Sequence, residues 1–463
     1  MKRIRSGAAS RQLHLANASI KAGWGWAKSQ LNTLAILEED KREVAQAKNA
    51  ETYALQWVQH IGQLKGGIVK AGQILATYGD YCLPPALAKA LHTLEAETEP
   101  LDWHAIAPVI QQELCEHETE LEIEPHALAA ASLSQVHRAT ILSSQESICL
   151  KILYPDIEKT FIADFNLLKA SLLLTLKKQQ KKAISERLDD ISRVLQDEIN
   201  LQIESKKMQQ WKTRLADDSR FIVPRIYERY SSNNILAMSY EQGVAPHDAS
   251  VLMLSQARRN QLAEAMLELL LSEILLWGEM QTDPHAGNYR IRITEAGSAN
   301  DAIVLLDFGS VRALNPQLLQ PLKQMLLAAY FDDESTLREA MIAANFLAVD
   351  APSDIQTAFS SVLQGLIEPL NYKRRLAQGI DIPANAIDEE GRYCWATARL
   401  PERMGKRAAK SAFSKHFTFP GIDFMLVARK LAGVYAFIAA LDAKFDGGIV
   451  MEKVMSLMKP AKN

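Results

Sequence analysis

Apolar residues recur at helical spacing through Trp57, Val58, Ile61, Leu64, Ile68, Ile74 and Leu75, which predicts helix over much of residues 34–115. Leu83-Pro84-Pro85 interrupts the pattern, because proline lacks an amide donor and clashes with the turn before it. Pro100-Leu101-Asp102 marks a second helix start, with Asp102 as N-cap. From about residue 121 the texture changes. Ser147–Leu153 (S-I-C-L-K-I-L) reads as a short strand ended by Tyr154-Pro155, and Phe221–Tyr227 and Asn234–Tyr240 as two more. Between them, Ile157–Leu176 and Ser185–Leu215 carry long helical patterns. Gly243 follows the last of these strands as a candidate hinge. Beyond residue 250 the pattern is helical, broken at 281–312, where Tyr289–Ile293 and Ile303–Leu306 fit short strands. Residues 316–460 read as helix throughout, and no fixed-period repeat is present. The predicted class is α+β and helix-rich. Its parts are an N-terminal helical extension over 1–115, a small α+β lobe with inserted helices over 116–245, and a large helical lobe over 246–463.

Composition narrows this picture. With 463 residues, 48% hydrophobic and 23% charged, the chain is long enough for two or three packed units. A net charge of -3 gives no global argument for nucleic acid. Cys82, Cys115, Cys149 and Cys394 are scattered, which excludes a disulfide framework and a zinc site and suits a reducing compartment. The run Leu431–Leu441, flanked by Arg429-Lys430 and Asp442, is eleven residues long and reads as a buried helix rather than a membrane span. No apolar segment follows Lys2, Arg3 and Arg5, so a signal peptide is not expected. Residues 1–37 hold six Lys or Arg and no Asp or Glu, with Trp24 and Trp26. They read as a basic surface helix or as a segment that touches anionic lipid, so the expected location is cytoplasmic, with peripheral membrane contact as the alternative. Lys177-Lys178 with Lys181-Lys182 reads as a solvated helix end or loop, and the basic stretch from Arg399 to Lys415 as a solvated face, with binding of phosphate or lipid headgroups as the alternative.

Two short motifs change the picture most. Asp283-Pro284-His285-Ala286-Gly287-Asn288 puts an Asp and an Asn five residues apart, and Leu306-Asp307-Phe308-Gly309 follows an apolar run. Kinase-type phosphoryl transfer needs one carboxylate near the nucleophile, and an amide with a second carboxylate to hold Mg²⁺ on the nucleotide phosphates. Asp283 takes the first role, and Asn288 and Asp307 the second. Hard oxygen donors of this kind suit Mg²⁺, with phosphate and water completing its shell. His285 is expected to make a structural hydrogen bond inside its loop. Lys151, between Leu150 and Ile152, is a charge inside an apolar strand and demands a partner. Glu198 and Glu204 stand on the following helix about 240° apart, so they face different partners. Glu204 is the candidate for Lys151.

These segments carry a resemblance. The chain resembles the UbiB-like (AarF/ADCK) atypical protein kinases in Leu64 to Gln73, which looks like the family's K-x-G-Q motif, in Ala129 to Ala139, which looks like its Ala-rich nucleotide loop, and in the two motifs above. The region around Met425 to Leu441 also looks like the family's C-terminal helix. The resemblance implies a two-lobed protein-kinase-like fold whose N-terminal extension packs over the active site. It implies that Lys70 and Gln73 enter the nucleotide site, that Glu198 engages them as the Glu of an E-x-D motif, and that Ala129, Ala130, Ala131 and Ser132 cradle the phosphates. Met238 and Tyr240 join Lys151 as nucleotide-binding candidates. The implied activity is Mg²⁺-dependent ATP hydrolysis or phosphoryl transfer in ubiquinone or other isoprenoid-lipid metabolism, with a nucleotide-binding scaffold as the alternative. ATP and Mg²⁺ are the implied cofactors, and a lipid or isoprenoid molecule a candidate partner. Asn200 stands where the E-x-D motif has Asp.

Overall fold

The computed structural model describes residues 100–131, 133–155, 157–175, 178–295, 301–400, 402–403 and 422–458, with scattered positions between 51 and 93. Lys70, Gln73, Ser132, the basic N-terminus and most of the stretch from Arg399 to Lys415 lie outside the described residues, as does the side chain of Glu198. The chain divides into two compact units. The first runs to Ser205 and takes back Arg225–Tyr240; the second holds Lys206–Pro224 and Glu241 onward.

The first unit contains helices α1 (Pro85–Leu91) and α2 (Trp103–Glu113), then strands β1 (Leu121–Ala130), β2 (Ser134–Ile141) and β3 (Ser147–Leu153). Helices α3 (Ile157–Thr175) and α4 (Lys178–Glu198) follow, and α5 (Leu201–Arg214) begins in this unit and ends in the other. A four-stranded antiparallel sheet runs β1-β2-β3-β5, with β5 at Ile235–Ser239. Central β3 occupies the residues its apolar pattern marks, and Ile148, Leu150 and Ile152 are fully buried. The Ala-rich stretch is a correction. Ala129 and Ala130 are not in a loop: they pair with Val136 and Gln135, and the turn begins only at Ala131, whose amide donates to the Ser134 carbonyl at 2.8 Å. Much of β1 faces solvent and carries a bulge, so no apolar alternation marks it.

The expected helix Ser185–Leu215 is two helices that part at Ile199-Asn200. Asn200 Oδ1 accepts from the amides of Gln202 and Ile203, both at 3.1 Å, and so caps α5. Phe221–Tyr227 is likewise shorter than expected. Only Phe221–Ile222 forms a strand (β4), because Pro224 offers no amide to a ladder, and β4 pairs in the second unit.

In the second unit, α6 (Ala249–Leu252) precedes α7 (Gln256–Ser272), a core helix with nine buried residues, six of them consecutive from Met266 save Glu268. The helix widens into a π-helical turn, Glu273–Trp277, closed by Gly278 at φ 64°, a left-handed conformation that glycine adopts without strain. Two small sheets follow. β6 (Glu279–Gln281) pairs with β9 (Val311–Ala313), and β8 (Ala302–Leu305) lies between β4 and β7 (Tyr289–Arg292). Gly243 is no free hinge: a Cβ there would lie 2.8 Å from Arg290 Cβ, so the residue permits a close backbone approach to β7. Helices α8 (Pro316–Phe331), α9 (Glu334–Ala343), α10 (Ser353–Leu366), α11 (Glu368–Ala377), α12 (Ile422–Ala440) and α13 (Gly447–Ser456) complete the unit. Helix does not run through all of 316–460. Around Gly379, Pro383 and Gly391 the chain is irregular, and isolated bridges join Ile387 to Tyr393 and Cys394 to Lys444. No described helix is long and apolar enough to cross a membrane.

Candidate active site

In the first unit, β3 is hydrogen-bonded on both sides, with Lys151 opposite Val136 and Leu236. Its ammonium group donates to both Glu204 oxygens, at 2.6 and 2.8 Å. Glu204 is 2% exposed and Lys151 16%, so each removes from the other the cost of burying a lone charge. The predicted pair therefore forms, on an α5 whose first turn is fixed by Asn200. Met238 is buried opposite Cys149, and Tyr240 lies under the Arg138 guanidinium, 4.4 Å from the ring centroid. The Tyr154 hydroxyl donates to the Ala131 carbonyl at 3.1 Å and pins the start of the Ala-rich turn.

The second unit carries a cluster of its own. β7 starts at Tyr289, directly after Asn288, and β8 ends at Leu305, just before Asp307; Tyr289 and Leu305 are partners, and the Leu306 amide donates to the Asn288 carbonyl at 3.0 Å. Asn288 and Asp307 therefore emerge from the same end of one two-stranded ladder. The Asn288 side-chain amide donates to Asp283 Oδ2 at 2.9 Å and to the Asp283 carbonyl at 3.0 Å. That orientation leaves the Asn288 side-chain oxygen as the atom to offer a cation. Asp307 accepts a long contact, 3.4 Å, from the Ser310 hydroxyl. Phe308 is 1% exposed and meets Trp211 of α5 edge-on at 5.7 Å, and Trp211 meets Trp277 at 5.5 Å. The D-F-G turn is thus anchored by aromatic packing, and its Ser310 carbonyl accepts from both the amide and the hydroxyl of Thr282.

His285 behaves as the sequence suggests: its Nδ1 accepts from the Gly287 amide at 3.0 Å. A Cβ at Gly287 would sit 2.8 Å from that nitrogen, so the tight turn needs glycine. One carboxylate, Asp307, and the Asn288 amide oxygen suit Mg²⁺ held jointly with a nucleotide's phosphates. Among the described residues, no three His, Cys, Asp or Glu gather into a metal-binding group on their own.

Pattern reading missed what stands behind the loop. Arg429 Nη2 donates to Asp283 Oδ1 at 2.7 Å. Beside it, Lys430 is 1% exposed, 3.4 Å from Glu273, and donates to the Gln281 side-chain oxygen at 3.1 Å and to Tyr289 Oη at 3.4 Å. Gln281 in turn donates to the Asp283 carbonyl at 2.6 Å. Burial pushes Glu273 up to about 7, with the Lys430 charge opposing it, and Glu273 Oε2 has no hydrogen-bond partner. Lys430 stays charged: burial disfavours the ammonium, but the surrounding acceptors Glu273 and Tyr289 outweigh it. Glu279, at the start of β6, takes Lys207 on one oxygen and Arg214 on the other, which ties the later turns of α5 to the loop's strand.

Comparison with known proteins finds a family match for the chain. The family model described as the ABC1 atypical kinase-like domain matches residues 93–341. The atypical kinase COQ8 of Saccharomyces cerevisiae is 26% identical over 379 residues, covering 81% of this chain and 72% of its own. A probable protein kinase UbiB from Tolumonas auensis is 26% identical over 309 residues, covering 66% of this chain and 56% of its own. Other curated relatives are spanned over 52 to 65% of their length. A solved structure of Rv3197 with erythromycin, from Mycobacterium tuberculosis, aligns over 91% of this chain and all of that one, with TM-score 0.53 and 19% identity, a likeness of fold.

Proposed function

The chain belongs to the ABC1 atypical kinase-like family, and from that premise we propose that it binds Mg²⁺-ATP and hydrolyses it or transfers its terminal phosphoryl group. The placement of Asn288 and Asp307 at one end of the β7–β8 ladder, with Asp283 hydrogen-bonded to Asn288, carries this reading. In it, Asn288 and Asp307 would hold Mg²⁺, which would supply positive charge to offset that of the phosphates. Asp283 orients the nucleophile. Lys151, held by Glu204, binds the α- and β-phosphates. Ala129, Ala130, Ala131 and Ser132, like Lys70, Gln73 and Glu198, are proposed for the nucleotide site on the family pattern alone. The acceptor proposed on the same pattern is an isoprenoid or other lipid-linked small molecule, and the basic residues 1–37 are the proposed contact with anionic lipid.

Mg²⁺-ATP should raise the melting temperature, and Asp307→Asn should abolish that rise. Phosphate release should be measurable above the Asp307→Asn background, and anionic vesicles should increase it. No melting shift in the parent chain would overturn nucleotide binding altogether. The second reading, a nucleotide-binding scaffold without turnover, is favoured by one observation: Asn200 stands where the family's E-x-D motif has Asp. A melting shift with no phosphate release, with or without vesicles, would select it.

A further inference from the structure

We propose that Arg429 is a positioning residue of the site, delivered to Asp283 by a helix that lies beyond the residues the family model matches. The inference rests on the reading of Asp283 as the carboxylate that orients the nucleophile. Arg429 holds Asp283 Oδ1 at 2.7 Å and Asn288 holds Oδ2 at 2.9 Å, so each oxygen has a donor and the carboxylate keeps one rotamer. The approach is built into α12 at three points. Gly433, one turn after Arg429, faces Pro284, where a Cβ would lie 2.3 Å from the proline Cβ and Cγ; only a residue without a side chain lets the helix come so near. Lys430 is buried and donates to Gln281, whose side chain holds the Asp283 carbonyl. Arg429 itself is 22% exposed, so its removal leaves no buried void of comparable size. A helix 80 residues and more past the matched region thereby sets the direction in which Asp283 presents its oxygens. Preorganisation of this kind acts on the chemical step more than on nucleotide binding.

The test uses the full chain and Mg²⁺-ATP, reading phosphate release and the nucleotide-induced melting shift together. Arg429→Ala should lower kcat by roughly tenfold or more. KM for ATP and the melting shift should stay within about twofold. Millimolar guanidinium should restore part of the lost kcat in Arg429→Ala and none in Asp283→Asn, which a general structural defect would not reproduce. Arg429→Lys, which retains charge and fold, should recover part of the rate. A kcat near the parent's in Arg429→Ala overturns the proposal, as does an equal loss of kcat and of melting shift in both Arg429 variants. Binding without turnover in the parent overturns this inference while leaving nucleotide binding intact. Neither binding nor turnover removes the functional reading and this inference with it.

Discussion

Two carboxylate–cation pairs invite comparison, one in each unit. Lys151 and Glu204 are 53 residues apart, and Asp283 and Arg429 are 146 apart. The first pair is nearly sealed, with Glu204 at 2% exposure, whereas Asp283 is 32% exposed. A charge inside an apolar strand advertises that it needs a counterion, and Lys151 does so within I-C-L-K-I-L. Arg429 and Lys430 sent the same signal, yet they read as the polar flank of the apolar run Leu431–Leu441. In the structure they lie well inside α12, which begins at Ile422. Charges interrupting an apolar helix deserved the inference that the strand received. The sealed pair should matter more for folding, and the open pair more for turnover.

The largest expected effect tests the sealed kind of pair where it is most buried. Lys430→Met leaves Glu273 without its cation and Gln281 with only the long Tyr289 hydroxyl contact, and should cost about 3–5 kcal/mol in urea unfolding. Glu273→Gln added to it should return part of that loss, since the remaining groups are then neutral. The pair also has a pH signature. Glu273 titrates at about 7 when folded and near the ordinary 4.3 when unfolded. Its raised value favours the folded state most below about pH 4.3, and that contribution is lost as pH rises through about 7. A chain whose Glu273→Gln variant kept the same slope of stability over that interval would exclude this residue as its source.

A smaller effect separates the two pairs that open the comparison. Lys151→Met strands a buried Glu204 and should cost about 2–4 kcal/mol. Arg429→Gln breaks a half-exposed pair and should cost under about 1 kcal/mol. Melting curves of the two variants without nucleotide provide the measurement. Equal losses would mean that burial does not distinguish the pairs.

The chemistry-bearing positions were legible because each is a residue type that its surroundings make costly: Asp307 after an apolar strand, Lys151 within one, Asp283 and Asn288 around a Pro and a Gly. The family-shaped fold followed from them, and β3 was readable to the residue because both its faces are apolar. β1 was not readable, since most of its side chains face water and its pairing comes from β2. In the sequence Asn200 stands out as a departure from E-x-D, whereas in the structure it is the cap of α5. Its oxygen bonds the Gln202 and Ile203 amides as an Asp oxygen could, so the change need not disturb α5. The network from Lys430 through Gln281 to Asp283 depends on a helix packed from far along the chain, which no local spacing encodes.

The smallest effect contrasts the sheet with the helical unit through the sign of its pH dependence. His137 on β2 is fully buried; its Nδ1 lies 2.8 Å from the Glu124 carbonyl and its Nε2 2.7 Å from Gln135 Nε2. Nδ1 donates to the carbonyl, and Nε2 must then accept from the Gln135 amide, so a second ring proton would displace that bond. Burial accordingly lowers the His137 value, with the bond to Glu124 acting against it. The unfolded ring takes its proton near pH 6.5. The contribution is complete above that pH and declines as pH falls through the lowered folded value, opposite in direction to Glu273. His137→Gln should flatten the acid side of the melting profile even where it lowers the whole curve, because the slope reports the proton and the level reports the packing. An unchanged slope below pH 6.5 would assign the acid sensitivity to another group.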